Sequence, residues 1–155
     1  MMNRRAGRVE FRGHAVPKAA MIVSHSPRDR RESALAIEPN NIAILNNLAW
    51  ALTQLRDPKA VEIAEKAYVE APNDANVIDT LGWALVQTGD AAKGMSLLRA
   101  ASNLAPTNAE IRLHLATAMI KTGDKAGART ELETLMKGDK ESPVRAAADK
   151  LLQGL

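Results

Sequence analysis

Proline returns at positions 39, 72 and 106, tryptophan at 50 and 83, and a Gly-Asp pair at 89–90 and 123–124, so the chain repeats itself every 33 or 34 residues. Each period holds two stretches of helical patterning; the first runs Leu45, Leu48, Ala49, Leu52 at three-and-four spacing. A unit that short cannot bury its own apolar face and must stack on its neighbours. The period therefore predicts an all-α array of helical hairpins. Function becomes a question about a surface rather than a reaction centre.

Local signals place the elements. Asn41 is a good N-cap for the first helix of the first unit, which ends near Leu55. Asp57-Pro58 restarts the chain as a helix, with Asp as cap and Pro where its missing N–H costs nothing. In the next two units Gly89 and Gly123 supply left-handed stops, and Asp90 and Asp124 cap the second helices. The expected repeats are 42–74, 75–108 and 109–140; Ser142-Pro143 then opens a capping helix over 143–153. Small residues recur at 49, 82 and 116 and again at 60, 94 and 128, which lets paired helices approach closely. Gly94 is expected to make room for a bulky neighbour. Residues 33–38 look like the end of an earlier second helix whose beginning is missing. The chain thus reads as starting inside a repeat, as a fragment of a longer array or with a mistaken first thirty residues.

Composition agrees with close-packed helices: hydrophobic residues make up 46%, yet the only aromatics are Phe11, Trp50, Tyr68 and Trp83. The formal charge of +3 is unevenly split. Residues 1–31 hold eight Arg or Lys against Glu10 and Asp29, net +6, and the rest is net −3. With Pro17 and Pro27 and no periodicity, 1–31 reads as a disordered basic tail, mostly a solvated one, and 32–155 as the folded array. Its Arg28–Arg31 run offers an alternative function, binding nucleic acid or an anionic surface, although a basic cluster without interleaved aromatics is weak support. There is no cysteine, hence no disulfide and no thiolate metal site. No window approaches the ~20 apolar residues of a membrane span. As written the chain has no export address and a cytoplasmic location is expected; a fragment of an exported lipoprotein would be periplasmic.

The pattern W-x2-L-G-x2-Y, then A-x3-F, then P marks tetratricopeptide repeats. Here it reads Leu45-x2-Leu48-Ala49-x2-Leu52, Ala60-x3-Ala64, Pro72; then Ile78-x2-Leu81-Gly82-x2-Leu85, Gly94-x3-Leu98, Pro106; then Arg112-x2-Leu115-Ala116-x2-Met119, Ala128-x3-Leu132. The aromatic places have become aliphatic while the small and proline places hold. Residues 33–155 thus resemble the tetratricopeptide family, which implies a right-handed helix-turn-helix solenoid of about three repeats plus the capping helix. More narrowly, LNNLAWAL, VIDTLGWALVQTGD and IRLHLATAMIKTGDKAGARTELETL are similar to the C-terminal repeats of bacterial lipoproteins that accompany exosortase (PEP-CTERM) and exopolysaccharide systems. Those proteins carry a lipid-anchored cysteine and many more repeats, from which this chain departs.

Catalytic chemistry is not signalled. His14 and His25 lie in the tail, His114 stands on a helix with no Cys or second His at ligand spacing, and it reads as a polar surface histidine. Ser24, Ser26 and Ser33 sit in no nucleophile-elbow pattern, and Gly123-x3-Gly127 lacks the Lys-Ser/Thr of a phosphate loop. Glu62, Glu65, Glu131 and Glu133 fall on outer helical faces. No enzyme, metal or cofactor is expected. The resemblance implies instead a protein-interaction scaffold with a concave groove lined by the first helix of each repeat. Carried onto this chain, the groove residues are Asn46, Asn47, Trp50, Thr53 and Gln54; Asp79, Thr80, Trp83 and Gln87; and Leu113, His114, Thr117 and Lys121. Trp50 and Trp83 are either ligand anchors or packing between repeats. The Lys-Asn clamp that reads chaperone tails has Asn46 with Trp50 and Glu110 with His114 in its places, so that specificity is not expected. Self-association through the open N-terminal repeat face is expected as well.

Overall fold

The computed structural model describes residues 41–138 and 142–155. The basic stretch 1–31, the half-repeat 33–38, His14, His25 and the serines at 24, 26 and 33 lie outside the described residues. Within them the chain forms α1 (Ile42–Gln54), α2 (Lys59–Glu70), α3 (Ala75–Thr88), α4 (Ala91–Leu104), α5 (Ala109–Thr122), α6 (Lys125–Met136) and α7 (Pro143–Gln153). Helices α1 to α6 pair as three hairpins, each packed on the next.

Caps fix where the helices start. The Asn41, Asp74 and Asn108 side chains accept first-turn amides of α1, α3 and α5, and Asp90, Asp124 and Ser142 do so for α4, α6 and α7. Gly89 and Gly123 end α3 and α5 at φ +113° and +90°, the left-handed region open to glycine. In the shorter first turn the same place is held by Arg56, at φ 53°. Asp57 there accepts the Lys59 N–H at 3.0 Å, while Pro58 takes the cap position, so α2 begins one residue later than the sequence signal suggests.

The core is a string of small clusters, each bridging neighbouring hairpins. Leu45, Ala67 and Val77 meet between the first and second, and Ile78, Ala101 and Ile111 between the second and third. Ala116, Leu132 and Leu135 close the third hairpin under Ala148 of α7. Alanine at 49, 60, 64 and 67 is fully buried, which lets the helices of a chain with few aromatics approach closely. Gly94 makes room both for the Val86 side chain, whose Cγ2 would lie 2.7 Å from an added Cβ, and for the α3 backbone. The same Cβ would lie 2.5 Å from the Gly82 carbonyl oxygen and 2.9 Å from the Val86 amide, so the backbones of α3 and α4 also meet closely here.

The first helices begin at 42, 75 and 109, and α7 begins at 143, a further 34 residues on. Helix α7 therefore stands in the first-helix place of a fourth unit, packed against α5 and α6. No helix among the described residues is long and apolar enough to cross a membrane.

Candidate groove site

Trp50 and Trp83 are both half-buried, on α1 and α3, and the His114 ring of α5 meets both of them. It stacks on the Trp83 indole with centroids 4.4 Å apart and planes 15° from parallel. The Trp50 indole is tilted by 41° at 5.5 Å. Behind the stack, His114 Nδ1 lies 3.0 Å from both carboxylate oxygens of Asp79 and donates its N–H to them. The pair is buried, with Asp79 7% and His114 9% exposed, so the surface histidine expected from sequence is instead a buried, paired one. The partner was hidden because it lies 35 residues away, one repeat plus one position, where no local motif reaches. Holding Nδ1–H on the carboxylate fixes the ring and leaves Nε2 as its remaining polar group.

The cluster forms one wall of an open pocket of ≈ 610 Å³. Helix α1 contributes Trp50 and Gln54, α3 contributes Trp83, and α5 contributes Leu113, His114, Thr117 and Ile120. The remaining wall is Ala147, Lys150 and Leu151 of α7 with Gly154 and Leu155 beyond it. Sequence reasoning missed this fourth wall and Ile120. The 34-residue step from Ala109 to Pro143 was the signal that could have found it.

The other expected groove residues are placed unequally. Asn47 and Gln54 are exposed, and Gln87 is half-buried with Oε1 3.4 Å from Lys121 Nζ. Thr80 is buried and its hydroxyl donates to the Asn76 carbonyl, and Thr53 likewise donates to Ala49. Neither offers a group to a groove ligand. Thr117 donates to Leu113 within its helix but borders the pocket. Asn46 occupies the place of Asp79 one repeat earlier, yet its Oδ1 is buried with no hydrogen-bond partner among the described residues. The repeat explains why: the place of His114 is held there by Thr80, whose hydroxyl is already used.

A second cavity of ≈ 370 Å³ opens between the N-terminal ends of α5 and α7 and is lined by Arg112 and Arg145. Both guanidinium groups are engaged, Arg112 with Glu131 and the Pro106 carbonyl and Arg145 with the Met136 carbonyl. Glu131 is therefore a partly buried ion-pair partner rather than a solvated carboxylate. No group of His, Cys, Asp and Glu among the described residues could hold a metal ion.

Residues 85–151 match the family model described as tetratricopeptide repeat. Among solved structures, MamA from residue 41 to its end, from Desulfovibrio magneticus RS-1, is similar at 22% identity and a TM-score of 0.63, over 71% of this chain and 63% of that one. YrrB, a TPR protein with an unusual peptide-binding site, is similar at 20% identity and a TM-score of 0.64, over 79% and 64%. TTC0263, a thermophilic TPR protein in Thermus thermophilus, gives 19% identity and a TM-score of 0.69, over 81% and 71%. The chain spans somewhat less than two thirds of the length of the MamA structures it resembles. No curated protein matches it in sequence. At these identities the likeness is one of fold. The fold is the right-handed solenoid of tetratricopeptide proteins, and the family model together with these neighbours supports that family.

Proposed function

We propose that the chain is a non-enzymatic interaction scaffold that holds a peptide or protein segment in the groove, with Trp50, Trp83, Gln54 and His114 as the contact surface. Asn46, Asn47 and Gln87 extend that surface along the first helices, while Asp79 and Thr80 support it from behind. One observation carries this reading: two half-buried indoles and a fixed imidazole face an open pocket of ≈ 610 Å³ walled by four helices. An aromatic stack serving only as mortar between repeats has no need of such an opening. Rigid aromatics beside a pocket are favoured anchors for a partner's side chains. The likeness to YrrB, a protein with a peptide-binding site, adds support through the fold. A place in a bacterial envelope or exopolysaccharide assembly system is part of the proposal and rests on sequence resemblance.

A displayed peptide library panned on the 155-residue protein tests it. Isolates are expected to shift the indole emission and to bind Trp50→Ala and Gln54→Ala at least about tenfold more weakly, as for interface anchors. Isolates that bind these variants like the parent, with no change in emission, would move the binding surface elsewhere.

A further inference from the structure

We infer that the partner segment offers this groove a flat aromatic side chain ending in one hydrogen-bond donor, as tyrosine and tryptophan do, and that His114 Nε2 accepts it; this rests on the groove being the binding surface proposed above. The aromatic half of the requirement comes from the walls. Leu113, Ile120 and Leu151 line the pocket together with the two indoles. Trp50 is half-buried, tilted against His114 and part of no core cluster among the described residues, so its ring is left as a platform for another. Paired rings gain more than their buried area alone supplies.

The donor half comes from the polar inventory of the pocket. The Trp50, Trp83 and Lys150 side chains can only donate, Thr117 gives its hydroxyl proton to the Leu113 carbonyl, and Gln54 is exposed. His114 Nε2 is different. It makes no hydrogen bond among the described residues, yet it is not buried, since the one buried side-chain atom there without a partner is Asn46 Oδ1. Its sense is set from behind. With Nδ1–H held 3.0 Å from both Asp79 oxygens, the neutral ring keeps Nε2 as an acceptor. Charge works the same way. Asp79 is the one ionisable side chain on α1 and α3, and no Lys or Arg among the described residues lies within ion-pair reach of it. An uncompensated carboxylate behind the ring polarises it toward accepting at Nε2. The α7 wall adds the Lys150 ammonium and the Leu155 carboxylate, which cancel in sum, and Glu110 lies a turn before His114 on its own helix. A phenylalanine ring in the pocket would take Nε2 out of water and leave it unpaired, whereas a phenol O–H or an indole N–H pairs it.

Three capped peptides share a Gly-Ser frame and differ at one central residue, which is tyrosine, O-methyltyrosine or phenylalanine. Binding to the whole protein is followed at mildly alkaline pH through the indole emission, excited where tyrosine does not absorb. The tyrosine peptide is expected to bind about five- to tenfold more tightly than the other two, the span of one well-made hydrogen bond. Added salt should leave that ratio unchanged, because neither partner in the bond carries a charge. Nitrogen NMR of the labelled protein should place the His114 proton on Nδ1. In Asp79→Asn the amide can donate to Nδ1 and move the ring proton to Nε2, so O-methyltyrosine, whose oxygen only accepts, should rise to match tyrosine. A proton found on Nε2 in the parent, or phenylalanine binding as tightly as tyrosine, would overturn the donor inference and leave the groove standing. An O-methyltyrosine peptide that stays weak once the proton has moved would remove Nε2 as the partner atom. If no peptide perturbs the indoles, the inference and the groove both fall.

Discussion

Trp83 serves two packing partners, and Trp50 one. The Trp83 indole stacks on His114 and also rests against the cluster of Val86, Leu98, Leu115, Ala118, Met119 and Ala128. Trp50 meets the His114 ring at a tilt and belongs to no such cluster among the described residues. Emptying a fully buried aromatic site costs ~3–5 kcal/mol, and Trp83 is only half-buried. Trp83→Ala is therefore expected to lose about 2–3 kcal/mol of stability and Trp50→Ala about 1 kcal/mol in denaturant titrations. Equal losses would mean that the two indoles share one structural role, and Trp50 would lose its claim as an anchor. The Asp79–His114 pair gives a second test at this scale. His114→Phe keeps an aromatic face for Trp83 but strands a buried carboxylate, so it is expected to cost about 3–5 kcal/mol. Changing Asp79 to Leu in the same chain should recover much of that loss, because it removes the stranded group.

At the scale of elements, the middle hairpin is the one in which glycine faces glycine. Equivalent places in the flanking hairpins carry alanine, at 49 and 60 and at 116 and 128, all fully buried. A methyl group on Gly94 would meet the α3 backbone at 2.5 Å, and neither that carbonyl nor the Val86 amide can turn aside. Gly94→Ala is thus expected to destabilise by about 1–3 kcal/mol despite its better helix propensity, since overpacking outweighs the ~1 kcal/mol gained. A higher melting temperature in that variant would show that the two helices can separate freely. The sequence displayed the small residues but not which neighbour they serve, because helix separation is set by both partners at once. Turn chemistry was legible where glycine announced it, at 89 and 123. It was silent at Arg56, a non-glycine residue that adopts φ 53° in the loop one residue shorter than the other two. The stripe of first-helix positions that borders the pocket was legible. Its depth was not: Thr80 and Thr53 turn their hydroxyls inward, and the histidine's partner comes from another repeat.

At the scale of the molecule, a string of clusters behaves differently from one core. Each hairpin is held by its neighbours, so stability is expected to be a sum of local and nearest-neighbour terms, and damage to stay near its source. Helix α7 tests this, since it packs on α5 and α6 at one end of the array. Ala148 is fully buried there with Ala116, Leu132 and Leu135. Ala148→Glu would bury a carboxylate among apolar groups, a penalty of several kcal/mol against a total stability of about 5–15 kcal/mol. The cheaper response is for α7 to lift off alone. Hydrogen exchange should then lose protection across 142–155 and weaken in α5 and α6, while α1 to α4 exchange as in the parent. Because Leu151 and Leu155 wall the pocket beside Trp83, the indole emission should move to longer wavelength in the same variant. Uniform loss of protection through α1 to α4 would show instead that the array unfolds as one cooperative unit, with α7 coupled to every hairpin and the groove formed only when all of them are in place.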